Sequence, residues 1–379
     1  MALVLTEEQE LLRQTAHDFV QEKSPVSELR RLRDSVDESG FDRKLYGEMA
    51  ELGWMGVVYP EEFGGLEMGY FELGQIFEEC GRGLVAQPIL SSVVLGGGCI
   101  LEAGNEIQRK EALAAIVSGD RLLSLAFQEG PHHEPFRVET KAESSGDHFT
   151  LSGRKTFVLD GHVSDQIVVV ARTSGAPSDR EGLTLFLVDA KAEGLTVERT
   201  IMVDGRNVAN VRLESVRLER SAIIGQPDRG ADVLEPVLDR ATVVLCAEML
   251  GTLAEAMDKT LDYLKTREQF GVLIGSFQAL KHRAASMFVE AELSRSIVLD
   301  ALTAIDEGRD DVPSLASCAK ARLNDALTLI CNEAVQMYGG IGVTDEEDIG
   351  LFLKRARVMS MTLGTSSWHR DRFATLGGY

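Results

Sequence analysis

The apolar residues change their spacing twice along this chain, and that double change excludes most folds open to 379 residues. Up to about residue 120 they recur every three or four positions between polar breaks, as amphipathic helices require. Leu11, Leu12, Ala16 and Phe19 make the first stripe, and Thr6 followed by Gln9 has capping-box spacing. Phe71, Leu73, Ile76 and Phe77 predict a helix over Tyr70 to Cys80, while Gly64-Gly65 after Pro60 marks a tight loop. From about Leu122 to Leu218 the pattern turns to short β-rich runs, Gln166 to Val170 and Leu183 to Val188 being the clearest. Turn signals separate them with no helix between, which predicts an antiparallel sheet or barrel. After Gly230 the helical period returns. Cys246, Leu250, Leu253, Met257, Leu261 and Leu264 form one apolar stripe. Further helical stretches run from Phe277 to about Ile305 and from about Pro313 to Tyr338, the last stopped by Gly339-Gly340.

The expected organisation is therefore α+β: an N-terminal helical domain (1–120), a middle antiparallel β domain (121–228) and a C-terminal helical domain (229–379). Acidic side chains outnumber basic ones 60 to 39, a net charge of −21, the wrong sign for a nucleic-acid binder. No apolar run approaches the roughly 18 residues of a membrane span, and Met-Ala-Leu-Val-Leu before Thr6-Glu7-Glu8 is no signal peptide, so a cytoplasmic chain is expected. The cysteines Cys80, Cys99, Cys246, Cys318 and Cys331 are scattered and read as reduced, mostly buried thiols. His132 and His133 beside Glu134 have no further partner at zinc spacing and read as a solvated loop pair, with no metal expected. Phosphate loops, nucleophile elbows and zinc-protease helices are absent, and Gly340-Ile341-Gly342 lacks the third glycine of a dinucleotide fingerprint.

Three segments carry a resemblance. Leu52-Gly53-Trp54-Met55-Gly56 with Pro60-Glu61-Glu62-Phe63-Gly64-Gly65 is the first. Arg267-Glu268-Gln269-Phe270-Gly271, followed by Ile274, Phe277-Gln278 and His282, is the second. Gln336-Met337-Tyr338-Gly339-Gly340-Ile341-Gly342-Val343-Thr344 with Arg355 and Arg357 is the third. In this order they resemble the acyl-CoA dehydrogenase family over essentially the whole chain. The resemblance implies that fold, with a C-terminal four-helix bundle, bound FAD and an oligomer in which neighbouring subunits exchange cofactor contacts. It also implies the family's reaction. A carboxylate removes the α-proton of a CoA thioester while the β-hydrogen leaves as hydride to the flavin.

The implied cofactor residues are Arg267, Gln269, Phe270, Ile274, Gln278, Gln336, Gly339, Gly340 and Thr365 on the helical side, with Phe127, Gln128 and Phe157 on the sheet side. A guanidinium fork suits a pyrophosphate better than an ammonium does. Arg267 would otherwise be an ordinary helix-end arginine, and Gly339-Gly340 an ordinary helix stop.

Several family positions depart. The catalytic glutamate's place, in an E-G-T-S context, reads Thr362-Leu363-Gly364-Thr365-Ser366, and leucine accepts no proton. The other place where relatives carry the base falls on Ala241 when anchored on Gly251, or on Asp239 when anchored on Arg240. The uninterrupted stripe favours the glycine anchor, leaving Asp239 as a solvated acid near the helix start. The segment T-E-P-G-x-G-S-D reads Gln128-Glu129-Gly130-Pro131-His132-His133-Glu134-Pro135, and W-I-T-N reads Phe157-Val158-Leu159-Asp160. Phe157 is equally a strand-core aromatic or a flavin neighbour.

An intact helical side with an altered sheet side and no base resembles the small subunits of two-subunit, pimeloyl-CoA dehydrogenase-like enzymes. Val93-Val94-Leu95-Gly96-Gly97-Gly98 and Leu245-Cys246-Ala247-Glu248 match that subgroup. The resemblance implies a tetramer with a larger paralogue, electron-transfer flavoprotein as a possible acceptor, and bulky or polar acyl groups from acid or steroid-side-chain breakdown. A non-catalytic scaffold subunit and a homo-oligomer doing other acyl-CoA chemistry stand beside it.

Overall fold

The structure, a computed structural model, describes residues 5–379. Helices open it: α1 (Glu7–Lys23), α2 (Val26–Asp34), α3 (Arg43–Glu51), α4 (Tyr70–Arg82), then a π-helical segment (Leu90–Gly96), α5 (Gly97–Ala103) and α6 (Glu106–Val117). Strands follow: β1 (Leu123–Ala126), β2 (Lys141–Ser145), β3 (His148–Leu159), β4 (Gln166–Arg172), β5 (Leu183–Asp189), β6 (Leu195–Ile201), β7 (Asn207–Glu219) and β8 (Ile223–Ile224). The long α7 (Gly230–Thr266) leads to a hairpin of β9 (Glu268–Gln269) and β10 (Val272–Leu273), then α8 (Gln278–Asp306), α9 (Val312–Tyr338), α10 (Ile349–Met361) and α11 (Ser366–Leu376). The capping box forms as its spacing predicts, with the Gln9 amide donating to the Thr6 hydroxyl at 3.2 Å and the Thr6 amide to the Gln9 side chain at 3.0 Å.

Contacts divide the chain into two units. One is helical: residues up to Arg31, Gly69–Val85 and Thr242–Tyr379. The other, Leu32–Met68 and Ala86–Ala241, holds the sheet. Helix α7 contributes turns to both.

In the sheet unit the strand order is β6-β7-β3-β2-β4-β5-β8, with β1 beside β4. The expectation of a purely antiparallel sheet needs correction. Strand β1 runs parallel to β4 over Leu123–Ala126, and β2 meets β4 in parallel at Lys141 and Arg172. Parallel neighbours need a crossover rather than a hairpin, and alternation within one strand carries no information about its partner's direction. The core is made by inward residues such as Phe149, Leu151, Ile167, Val169, Phe186, Val211 and Leu213. Phe149 and Phe186 lie 5.3 Å apart between ring centroids. Register shifts against β7 fall between Leu151 and Gly153 and between Lys155 and Val158, so β3 is bulged twice.

The helical unit contains α7 through α11 packed with α1 and α4, one helix more after the sheet than a four-helix bundle requires. The single stripe predicted for α7 is too narrow. Every residue from Ala241 to Leu253 is buried, as happens to a helix enclosed on all sides. Helices α4 and α7 touch backbone to backbone. A Cβ on Gly251 would sit 1.7 Å from the Glu78 carbonyl oxygen, and one on Gly81 2.0 Å from that of Glu248. Beside this contact the buried Arg355 guanidinium donates to the Glu248 carboxylate at 3.2 Å and to the carbonyls of Leu84 and Val85. Arg355 of the third motif is thus a structural cation.

The four cysteines Cys80, Cys99, Cys246 and Cys331 are buried and Cys318 partly so, all as free thiols. Gly251→Ala gains helix propensity but drives a methyl group into the Glu78 carbonyl. It is expected to destabilise the protein by about 2–4 kcal/mol, read from the urea midpoint at unchanged slope. A neutral or stabilising result would contradict the backbone contact.

Candidate functional site

In the helical unit the candidate cofactor residues gather where α7 and α9 end. Tyr263 and Tyr338 stack with ring centroids 4.2 Å apart and an interplanar angle of 10°. The Tyr338 hydroxyl donates to the Lys259 carbonyl at 3.1 Å. This pair fastens the α7 terminus, four residues before Arg267, to the α9 terminus that leads into Gly339. Next, the Ile274 amide donates to the Arg267 carbonyl at 2.9 Å and closes the β9–β10 hairpin. Its two-residue turn, Phe270-Gly271, has φ of 57° and 77°, the left-handed pair that hairpin twist favours. An aromatic residue at positive φ is unfavourable, yet Phe270 is held there 93% exposed.

Arg267, Gln269, Gln278 and Gln336 are all exposed, and the Arg267 guanidinium has no carboxylate or hydrogen-bond partner among the described residues. The guanidinium fork of Arg267 is thus free to bond a group outside the described residues. Ile274 is buried and anchors the hairpin. Gly339 adopts φ 67°, which favours glycine, and a Cβ on Gly339 or Gly340 would meet nothing within 4 Å. The donor set and the open backbone fit a pyrophosphate-bearing cofactor.

The turn Thr362–Thr365 is built from beneath. Lys320 is fully buried, and its ammonium donates to the Asn324 side chain at 2.7 Å and to the carbonyls of Met359 (3.0 Å) and Gly364 (3.1 Å). His369 is bonded to the Leu363 carbonyl at 2.8 Å. Leu363 is buried at φ 56°, and a Cβ on Gly364 would meet His369 Nε2 at 2.8 Å. Thr365 is exposed, and its hydroxyl caps α11 by accepting from the Trp368 amide. Sequence reasoning missed Lys320, Asn324 and His369, because a buried polar residue on a helix has no periodic signature of its own.

In the sheet unit the structure brings Phe127, Gln128 and Phe157 together. The Thr156 amide donates to the Gln128 carbonyl at 2.8 Å. Lys155, fully buried, donates to the Phe127 carbonyl at 3.3 Å and to Glu129 at 2.6 Å. Glu129 also accepts from the amides of Glu139 and Thr140, closing the neck of the intervening loop. Burial works to raise the Glu129 carboxyl, but Lys155 and these hydrogen bonds outweigh it and hold it below its usual range. Burial draws Lys155 down to about 8, so both remain charged at pH 7. A cavity of about 500 Å³ opens beside this loop, lined by Glu129, His132, Arg137, Arg154 and Arg212 among others.

Three expectations change here. Phe157 is neither plain strand core nor regular, being half-buried at φ 54° beside the second bulge. His133 does not sit in a solvated pair with His132, because it meets the buried Phe127 edge-on at 5.8 Å between centroids. Asp239 is not a solvated acid: it is 4% exposed, well inside α7 rather than in its first turn, so attraction to the helix terminus does not account for it.

Comparison with known proteins gives a consistent match. Residues 6–120, 128–216 and 228–375 match the models for the acyl-CoA dehydrogenase N-terminal, middle and C-terminal domains. The probable acyl-CoA dehydrogenase YngJ of Bacillus subtilis is 30% identical over 377 residues, 98% of each chain.

The chain belongs to the acyl-CoA dehydrogenase family.

Among solved structures it is similar to the Tcur3481–Tcur3483 steroid ACAD, at 31% identity and TM-score 0.88 over 98% of both chains. It is also similar to the ChsE4–ChsE5 complex from Mycobacterium tuberculosis, at 26% identity and TM-score 0.90 over 99% of this chain and 98% of that one. FAD is the cofactor of this oxidoreductase family, and no helix among the described residues is long and apolar enough to cross a membrane.

Burial pulls the Lys320 ammonium down to about 8, against 10.5 for a free lysine. Between those values the unfolded chain holds more protons than the folded one, so Lys320 penalises folding less as pH rises through the window. The stability difference between wild type and Lys320→Met should therefore shift toward wild type from pH 8 to 10.5. Urea midpoints at pH 7.5, 9 and 10.5 measure it, and a flat difference would contradict the buried charge.

Proposed function

We propose that the chain is one subunit of an FAD-dependent acyl-CoA dehydrogenase, working in a heterotetramer with a larger paralogue on a bulky or polar acyl-CoA. The observation that carries this is the outward presentation of Arg267, Phe270 and Gln336 around Gly339 and Gly340, all within one helical unit. Polar and aromatic side chains displayed on an exposed hairpin and an adjoining helix end are suited to a cofactor completed by a neighbouring subunit. The similarity to two structures whose names each join two chains supports the heteromeric reading.

In this reading Arg267 binds the FAD pyrophosphate, with Gln269, Gln278, Gln336, Gly339, Gly340 and Thr365 on the nucleotide half. Phe127, Gln128 and Phe157 of the sheet unit face the flavin ring. Bound FAD supplies the acceptor for the β-hydride. The chain's own residues bind, orient and exclude water, and with leucine at 363 the base comes from the partner. Asp239 stays outside the chemistry, and Asp239→Asn should leave turnover of the assembled enzyme nearly intact. A collapse in turnover with flavin and assembly unchanged would reinstate it as the base.

A homo-oligomer remains the second reading, favoured by the exposed Phe288, Val289 and Leu293 on α8, an apolar face that a second copy could cover. Electron-transfer flavoprotein is the proposed electron acceptor in either case. The visible spectrum and native mass of the chain alone, then co-expressed with an acyl-CoA dehydrogenase paralogue, separate the two. Flavin appearing only in a mixed tetramer supports the heteromer, and stoichiometric flavin in a stable homomer overturns it. Arg267→Ala should lower flavin retention at least tenfold in the assembled protein, as loss of a charge-assisted contact worth about 1.5–3 kcal/mol implies. Unchanged occupancy would remove the pyrophosphate role.

A further inference from the structure

Three departures from regular backbone meet at one hydrogen bond in the sheet unit. Strand β3 ends in a segment with two non-glycine residues at positive φ, Phe157 at 54° and Asp160 at 51°. Leu90–Gly96 is a π-helical segment, a form that appears mostly as single turns at functional places. The Ser91 hydroxyl of that segment donates to Asp160 Oδ2 at 2.6 Å, with the Pro88 carbonyl at 3.2 Å.

The two sides of this contact differ in stiffness. The π-helical segment is pinned independently: the Tyr59 hydroxyl donates to the Val93 carbonyl at 2.7 Å, and the Leu123 amide donates to the Ser92 hydroxyl at 3.1 Å. All seven of its residues are buried. The strained segment is tied to β7 through Val158 and Leu159, and the bonds from the amides that follow are long. The Asp160 amide reaches the Asn207 carbonyl at 3.2 Å and the Gly161 amide the Val158 carbonyl at 3.2 Å, both at the long end of the range. Residues in unfavourable backbone regions persist only where the surroundings over-determine them. A 2.6 Å bond from a fixed hydroxyl to the Asp160 side chain is one such constraint, placed where the ladder with β7 ends.

We infer that Asp160 is a positioning residue: anchored by Ser91, it fixes the end of β3 beyond the second bulge and so holds Phe157 in the left-handed conformation that presents it to the flavin ring. The inference rests on the proposed reading that this segment faces FAD. Aspartate stands where the family pattern has an asparagine, and either side chain offers an oxygen that can accept from Ser91.

The test uses full-length chain for hydrogen exchange and the flavin-loaded assembly for spectra, with Asp160→Ala, Ser91→Ala, Asp160→Asn and Phe157→Ala. In both Asp160→Ala and Ser91→Ala, exchange at the amides of Asp160, Gly161 and Val163 should rise about tenfold or more, the scale of one charge-assisted bond. Amides of Val168 and Leu187 in the β4–β5 ladder should stay unchanged, which separates local release from unfolding. Asp160→Asn still accepts from Ser91 and should stay within about threefold of wild type. The visible absorbance of bound FAD should shift in the two alanine variants and in Phe157→Ala, and not in Asp160→Asn.

Unchanged exchange in both alanine variants overturns the anchor. Equal loss in Asp160→Asn and Asp160→Ala overturns positioning in favour of a charge effect. If Phe157→Ala leaves the flavin spectrum unaltered, the reading that the segment faces FAD fails, and the flavin role of Asp160 with it. If Phe157→Ala alters the spectrum and the anchor variants do not, the reading stands and the positioning role alone falls.

Discussion

The helical unit is organised around a place where two backbones touch. At Gly81 and Gly251 helices α4 and α7 approach so closely that neither position has room for a methyl group. Such an approach brings the Glu248 carboxylate, the Leu84 and Val85 carbonyls and the Arg355 guanidinium into one buried cluster. Replacing that cluster by apolar residues could be neutral, but removing one member strands a buried charge. The close crossing and the ion pair therefore fix each other, and they hold α4, α7 and α10 together in the helical unit that also carries the candidate residues Arg267 and Gln336.

Both units use a buried ammonium in the same way. Lys155 ties the Phe127 carbonyl and the loop neck at Glu129 to β3, and Lys320 ties Met359 and Gly364 to α9. A lysine has three donors and no preferred plane, which suits carbonyls converging from separate segments. Lys155 has a carboxylate beside it and Lys320 only neutral acceptors, yet each combines one side-chain partner, Glu129 or Asn324, with main-chain carbonyls of separate segments. Backbone carbonyls are thus among the groups through which each buried ammonium holds its neighbouring segments.

Most of the architecture was legible in the sequence because it depends on repeated spacing. The stripe from Cys246 to Leu264, the capping box at Thr6 and Gln9, and the runs at Gln166 and Leu183 each reflect a period or a local rule. Strand direction was not legible, since β1 carries no trace of lying parallel to β4. The helical side of the candidate site came from the family resemblance carried by Arg267 and Gly339-Gly340, of which Gly339 alone has a backbone angle that favours glycine. Lys155, Lys320 and the Ser91–Asp160 contact were not legible, because each is a meeting of residues distant in sequence. Asp239 was misjudged for a related reason. Helix position alone does not reveal that a neighbouring element covers an acidic side chain.

The turn at Thr362–Thr365 is held by Lys320, Asn324 and His369 through the carbonyls of Leu363 and Gly364. None of these bonds involves the side chain at 363. A turn fastened through its carbonyls does not draw its hydrogen bonds from the side chain it carries, so its shape leaves the chemistry of position 363 independent of the bonds that hold it.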